Sequence, residues 1–127
     1  MGELLVQISV GELLDKISIL EIKATEISDV AKRANIEREL RALGAVRRRE
    51  IAPSLELDGL YVELQQVNKD LWNIEDDIRA KERTKTYDST FIQLARSVYI
   101  NNDLRAQLKR RINEITMSEL IEEKSYD

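Results

Sequence analysis

The side chains that could do chemistry in this sequence are carboxylates, amides, arginines and lysines, because the chain has no histidine and no cysteine. That composition excludes a Ser-His-Asp triad, a thiol nucleophile, a disulfide and the usual zinc sites. The most concentrated polar group falls on two long helical patterns in the second half of the chain. The candidate binding residues are Asn68, Glu75, Asp76, Arg96, Asn102, Arg105 and Lys109.

These residues interrupt or flank apolar stripes, so they would lie at or beside the interface between the two helices. If the helices pack as a hairpin, Glu75 could meet Arg96 or Arg105, since a buried carboxylate requires a partner. Two interpretations stay open. The group is either a network that fixes the register of the helices, or a pocket in which arginines bind an anionic small molecule.

Carboxylate chemistry with a metal ion is a weaker alternative. Glu12-x-x-Asp15 and Glu119-x-x-Glu122 have the spacing of magnesium-binding helical motifs, but they lie at opposite ends of the chain. Adjacent helical residues point about 100° apart, so the run at 75–77 cannot converge on one ion. We expect no metal, no cofactor and no catalytic residue.

Four amphipathic patterns must position the polar group. Ser9 and Glu12 form a capping box that predicts the start of the first helix, and Asp29 and either Asp88 or Ser89 are expected to cap later ones. The predicted helices span about 10–27, 30–51, 57–83 and 90–115. Residues 3–8 are expected to form either a short strand or an extended lead-in. We therefore predict one all-α domain over residues 1–127, an antiparallel bundle of about four long helices.

The third helix carries the clearest pattern, an apolar seam with alternating spacings of three and four over three heptads. Its members are Leu57, Leu60, Leu64, Val67, Leu71, Ile74 and Ile78. A seam of this kind is typical of coiled-coil-like packing. It indicates either a partner helix in the same chain or a second copy in a homodimer.

Charge alternates along the chain in blocks as long as the helices. Residues 1–31 carry a net −4, residues 32–49 a net +5, residues 50–82 a net −6 and residues 83–118 a net +4. In an up-down bundle each helix would then neighbour helices of opposite sign, which would select the topology. The basic run at 47–49 has no interleaved aromatic residue, and the whole chain carries −4, so a nucleic-acid partner is not expected.

No apolar run approaches the 18 residues of a membrane span, and the first residues lack the basic start of a signal peptide. We expect a soluble cytoplasmic protein with no membrane partner.

Several phrases of the sequence form a pattern when taken together. They are residues 11–17 (GELLDKI), 19–23 (ILEIK), 71–76 (LWNIED), 94–99 (LARSVY) with 102–103, and 122–126 (EEKSY). In combination they resemble an uncharacterised family of small helical bacterial and phage-associated proteins, a domain of unknown function. The resemblance covers nearly the whole chain and implies a small helical protein without an established activity. The pattern includes the polar residues Lys16, Glu21, Lys23, Glu75, Asp76, Arg96, Asn102 and Asp103.

The prediction for function is a non-catalytic helical interaction or assembly module that forms a homodimer. The alternative is a binding protein or enzyme for an anionic small metabolite, with an Arg/Lys/carboxylate pocket between the third and fourth helices.

Overall fold

The chain is all-α, as predicted. The computed structural model describes residues 2–124, in which four helices follow one another: α1 (Val10–Glu26), α2 (Val30–Glu50), α3 (Leu55–Arg83) and α4 (Ser89–Ile115). Each bound lies within two residues of the predicted one. Residues 2–8 are extended, and no strand occurs in the described part of the chain. None of the described helices has a stretch long and apolar enough to cross a lipid bilayer.

A polar side chain caps the start of every helix. Ser9, Asp29 and Asp88 each accept a hydrogen bond from the backbone N–H three residues on, at 2.9–3.0 Å. Ser54 does the same for α3 at 3.1 Å, and it sets the start of α3 two residues before the predicted one. These bonds satisfy N–H groups that have no partner inside their own helix.

α1 is the central helix of the bundle, because it packs against all three others. α3 and α4 form an antiparallel hairpin, whereas the backbone of α2 packs on α1 alone. The predicted charge complementarity is therefore realised only in part. Ion pairs join α1 to α4, but none joins α2 to α3 among residues 2–124.

The buried core lies at one end of the hairpin. It is formed by Leu13, Leu14, Ile17, Leu57, Leu60, Tyr61, Leu64 and Ile112. Between Lys69 and Arg111, by contrast, no residue is buried. α1 ends at Glu26, whose carboxylate pairs with Lys69, so the hairpin continues past α1 without a third helix against it. We call residues 70–101 the arm.

Gly11 allows α1 to approach α4 closely. A Cβ atom at this position would lie 2.6 Å from the carbonyl oxygen of Lys109, which is nearer than real Cβ contacts come. The Gly11 N–H instead donates to Asn113 Oδ1 at 2.6 Å, and the Val10 N–H donates to Ser118 Oγ at 3.1 Å. Two side chains from the C-terminal end of α4 and the residues after it therefore complete the cap of α1.

Non-glycine residues in the left-handed region follow both helices of the hairpin. Lys85 has φ 51° and Met117 has φ 53°. After Met117, the Ser118 N–H bonds to the Asn113 carbonyl at 2.9 Å, which closes the helix end in the pattern that usually places glycine at this position. This turn directs Ser118 back towards α1.

Candidate functional site

Asp15 is the centre of the polar site. Among residues 2–124 it is the one charged side chain that is buried, at 1% exposure. Arg105 Nε donates to its Oδ1 at 2.9 Å, and a second guanidinium N–H donates to its Oδ2. The Asn68 amide donates to the same Oδ1 at 2.9 Å and to Ser18 Oγ at 3.2 Å. The carboxylate thus binds α3 and α4 to α1 at one point.

Lys109 lies one helical turn further along α4 and is surrounded by carboxylates. Its Nζ is 2.7 Å from Glu12, 3.0 Å from Glu122 and 3.8 Å from Asp15. Burial by itself would lower the pKa of Lys109, but the hydrogen bonds to Glu12 and Glu122 and the charge of Asp15 outweigh it, so the pKa is raised. Lys109 is therefore held in its charged form.

The Arg105 guanidinium is matched in the same way. Its hydrogen bonds to Asp15 raise its pKa further against the effect of burial. A third contact, from Arg105 to Asn102 Oδ1, is long at 3.5 Å. No buried side-chain nitrogen or oxygen lacks a partner in the described part of the chain. The site thus meets its own hydrogen-bonding needs, as a buried ion pair must to be tolerated.

A second polar contact lies on the other side of the core. The buried Tyr61 hydroxyl donates to the Glu21 carboxylate, and Gln65 donates to the same carboxylate at 3.4 Å. The guanidinium of Arg47 lies 4.3 Å from the centre of the Tyr61 ring, which is cation–π contact distance. Burial and the bond to Glu21 raise the pKa of Tyr61 above its ordinary range. This contact links α1, α2 and α3.

The space around these residues is small or open. The cavity beside Lys109 and Asn113 has a volume of about 40 Å³, far below the ~300 Å³ of a typical small-molecule pocket. A shallow groove of about 430 Å³ lies between α1 and α3 and includes Ser18 and Glu21. Among residues 2–124, no three carboxylates are grouped as ligands of one metal ion. The contacts of the polar site hold α3 and α4 against α1.

The structure brings four of the seven predicted site residues together. Asn68, Asn102, Arg105 and Lys109 lie on the edge of the hairpin that faces α1. Asn68 lies beside the apolar seam of α3, and Asn102 and Lys109 lie beside the apolar stripe of α4. Their side chains therefore reach the same edge of the hairpin. This arrangement is consistent with the first of the two interpretations that the sequence left open, a network that fixes the register of the helices.

The other three predicted residues lie elsewhere. Glu75, Asp76 and Arg96 are exposed on the arm, beyond the end of α1. None of them forms an ion pair within residues 2–124, and Arg105 pairs with Asp15 where Glu75 was expected. The seven-residue spacing placed Glu75 on the correct edge of α3, but α1 is too short to cover it.

Sequence reasoning missed the partners that α1 supplies. Asp15 and Ser18 lie in the widest apolar face of the chain, between Leu14 and Leu20. A carboxylate inside such an apolar face requires a positively charged partner. The position of Asp15 in the sequence was therefore a signal that an arginine or lysine would contact it. Glu12 was assigned to a capping box, but its carboxylate bonds to Lys109 across to α4.

Comparisons with known proteins place the chain in a family without giving it an activity. No curated protein and no solved structure matches it. A family of unknown function, DUF6165, matches residues 4–127, which is nearly the whole chain. The chain belongs to this family of unknown function, DUF6165.

Proposed function

We propose that this protein is a helical assembly module that forms a homodimer through the arm. The observation that carries the proposal is its surface area. The chain exposes 9111 Å², whereas a compact monomer of 14.7 kDa is expected to expose about 6,900 Å². The excess of about 2,200 Å² is larger than the ~800 Å² that each partner loses in a typical stable interface.

The excess surface includes the arm, which carries apolar groups on its outside as well as in its seam. Ile92, Tyr99 and Ile100 on α4 are 47–56% exposed. They lie on faces of α4 other than the face that packs on α3. A two-helix hairpin with no third helix is marginal in water, because each helix covers only one side of the other. A second copy would supply the missing cover.

The alternative of a pocket for an anionic metabolite receives less support from the geometry. Arg105 already holds Asp15 through two N–H groups, and Lys109 is within 4 Å of three carboxylates. An anion would have to displace these partners. Binding of phosphate or citrate that raises the melting temperature would favour the pocket over the structural role.

Sedimentation velocity on an arm variant tests the proposal. Ile100→Asp places a charge on the exposed face of the arm, and Val62→Asp does the same on α3 before the arm, where Val62 is 62% exposed. We expect I100D to weaken self-association at least tenfold, since burying the exposed part of two isoleucines is worth about 2 kcal/mol. V62D should associate like the unmodified protein. Equal association of all three proteins would contradict the proposal.

A further inference from the structure

α2 has a basic face that no part of the described chain covers. Five exposed residues recur on it with spacings of four, three, four and three, which places them on one side of the helix, opposite the side that packs on α1. They are Ala34, Arg38, Arg41, Ala45 and Arg48. None of the three arginines forms an ion pair within residues 2–124; the α2 arginines that do are Arg33 and Arg49.

α3 has an acidic edge of matching length. Glu56, Glu63, Asp70 and Asp77 are spaced by seven, on the flank of the seam opposite the one that α1 covers at Asn68. None of the four carboxylates lies within 4 Å of a cation in residues 2–124. Asp70 accepts one hydrogen bond, from Gln66 at 2.9 Å. The exposed Ile100 and Leu104 of α4 lie along the same edge of the hairpin.

The charge blocks of the sequence predict that these two surfaces meet, yet they do not meet within one chain. The backbone of α2 packs only on α1, and the ion pairs that α2 forms, Arg33 with Glu37 and Arg49 with Glu50, are between neighbours in the sequence. α2 carries seven basic and three acidic residues, a net +4, and α3 carries four basic and eight acidic residues, a net −4, so each helix keeps an unneutralised face.

We infer that α2 of one copy lies along the acidic edge of α3 in a second copy. The inference rests on the proposed self-association and names its contact surfaces. Arg41 and Arg48 are seven residues apart, as are Asp70 and Asp77, so both pairs repeat about every 10.5 Å along their helices. The small side chains of Ala34 and Ala45 on the same face allow the helices to approach closely.

Each copy has both surfaces, so two copies can exchange them reciprocally. Such an arrangement is a closed two-fold dimer, in which the same contact occurs twice. Opposite charges then align the helices, and the apolar groups of the arm add affinity. Because the surface charges are exposed before association, we expect the affinity to fall as ionic strength rises.

The test uses two charge-reversed full-length variants, alone and mixed. Arg41→Glu/Arg48→Glu reverses the basic face, and Asp70→Arg/Asp77→Arg reverses the acidic edge. Each variant alone faces like charges at both contacts, so we expect its dissociation constant to rise at least tenfold. In an equal mixture both contacts are again between opposite charges, so we expect dimers of the unmodified affinity.

The control is Lys16→Glu/Lys23→Glu, an equal change of charge on α1, outside the arm, the basic face and the acidic edge, which should leave association unchanged. Circular dichroism confirms that each variant stays helical. Dimers of unmodified affinity in each variant alone would overturn the inference while leaving the proposed self-association intact. A mixture that stays dissociated would overturn it as well. An unmodified protein that is monomeric would overturn both.

Discussion

Removing the negative charge of Asp15 is the sharpest perturbation of the polar site. Asp15→Asn keeps the shape of the side chain and one acceptor oxygen, so no cavity forms. It removes the negative charge that faces Arg105 and Lys109. It can also place an amide N–H₂ where Oδ2 now accepts a hydrogen bond from Arg105, so that two donors face each other. The substitution therefore reports on electrostatics and hydrogen bonding rather than on packing.

The structure sets the size of the effect. Asp15 is 1% exposed and accepts three hydrogen bonds, two of them from a guanidinium. Breaking a buried ion pair on one side costs about 3–5 kcal/mol. The Arg105 side chain is 29% exposed, so water can replace part of what it loses. We expect a loss of about 3 kcal/mol, a large fraction of the ~5–15 kcal/mol that stabilises a typical domain.

Urea unfolding followed by circular dichroism measures this loss. The matched control is Asp76→Asn, the same chemical change at an exposed carboxylate without an ion pair, which we expect to stay within ~0.5 kcal/mol of the unmodified protein. Combining D15N with Arg105→Gln should cost about 1.5–3 kcal/mol less than the sum of the single changes, because both remove the same contact. A D15N loss below 1 kcal/mol, or additive losses, would refute the structural role of the ion pair.

Three further predictions concern glycine positions, a strained turn and alkaline pH. Gly11→Ala should destabilise the fold by about 1–3 kcal/mol, because the added Cβ would clash with the Lys109 carbonyl. Gly59→Ala, where nothing lies within 4 Å of the added Cβ, should stabilise the fold by about 0.5–1 kcal/mol. Equal effects of the two substitutions in urea unfolding would count against the close approach of α1 to α4. Met117→Gly should raise stability by about 0.5–1 kcal/mol, because glycine adopts a positive φ without strain; a lower melting temperature would contradict this. Burial and the bond to Glu21 raise the pKa of Tyr61, so above pH 10 the unfolded chain loses a proton that the folded chain keeps, and stability should fall by up to ~1.4 kcal/mol per pH unit. Tyr61→Phe should lose this part of the slope between pH 10 and 11, and an unchanged slope would show that the phenol does not carry it.

The helices were predictable because their signals are local. Ser9, Asp29 and Asp88 cap the helices they precede, and the spacing of three and four from Leu57 to Ile78 identifies α3 without knowledge of the other helices. Local signals of this kind depend on neighbouring residues in the sequence, so they survive without tertiary information.

The partners in the polar site were not predictable in the same way. Asp15 and Arg105 are 90 residues apart, and which residue pairs with Arg105 depends on how far α1 reaches along the hairpin. The spacing rule identified the correct edge of α3, and therefore Asn68, but it cannot say where α1 stops. Glu75, one heptad beyond Asn68, lies past that limit and is exposed.

The contacts that charge alternation predicts occur between one pair of helices and not between another. It holds for α1 and α4, where Asp15 and Glu12 meet Arg105 and Lys109. It does not hold within the chain for α2 and α3, because α2 turns onto α1 after a short connection at residues 27–29 and forms no ion pair with α3; Arg47 contacts the Tyr61 ring instead. The same charges remain exposed, which is why they carry the inference about a second copy.

The molar mass of the unmodified protein in solution is the most direct test of the central proposal, that the exposed arm is an assembly surface. Light scattering during size-exclusion chromatography gives this mass independently of shape, which matters for an elongated molecule. We expect twice 14.7 kDa at micromolar concentration, with dissociation at high salt. A mass of 14.7 kDa at every concentration and at low salt would contradict it.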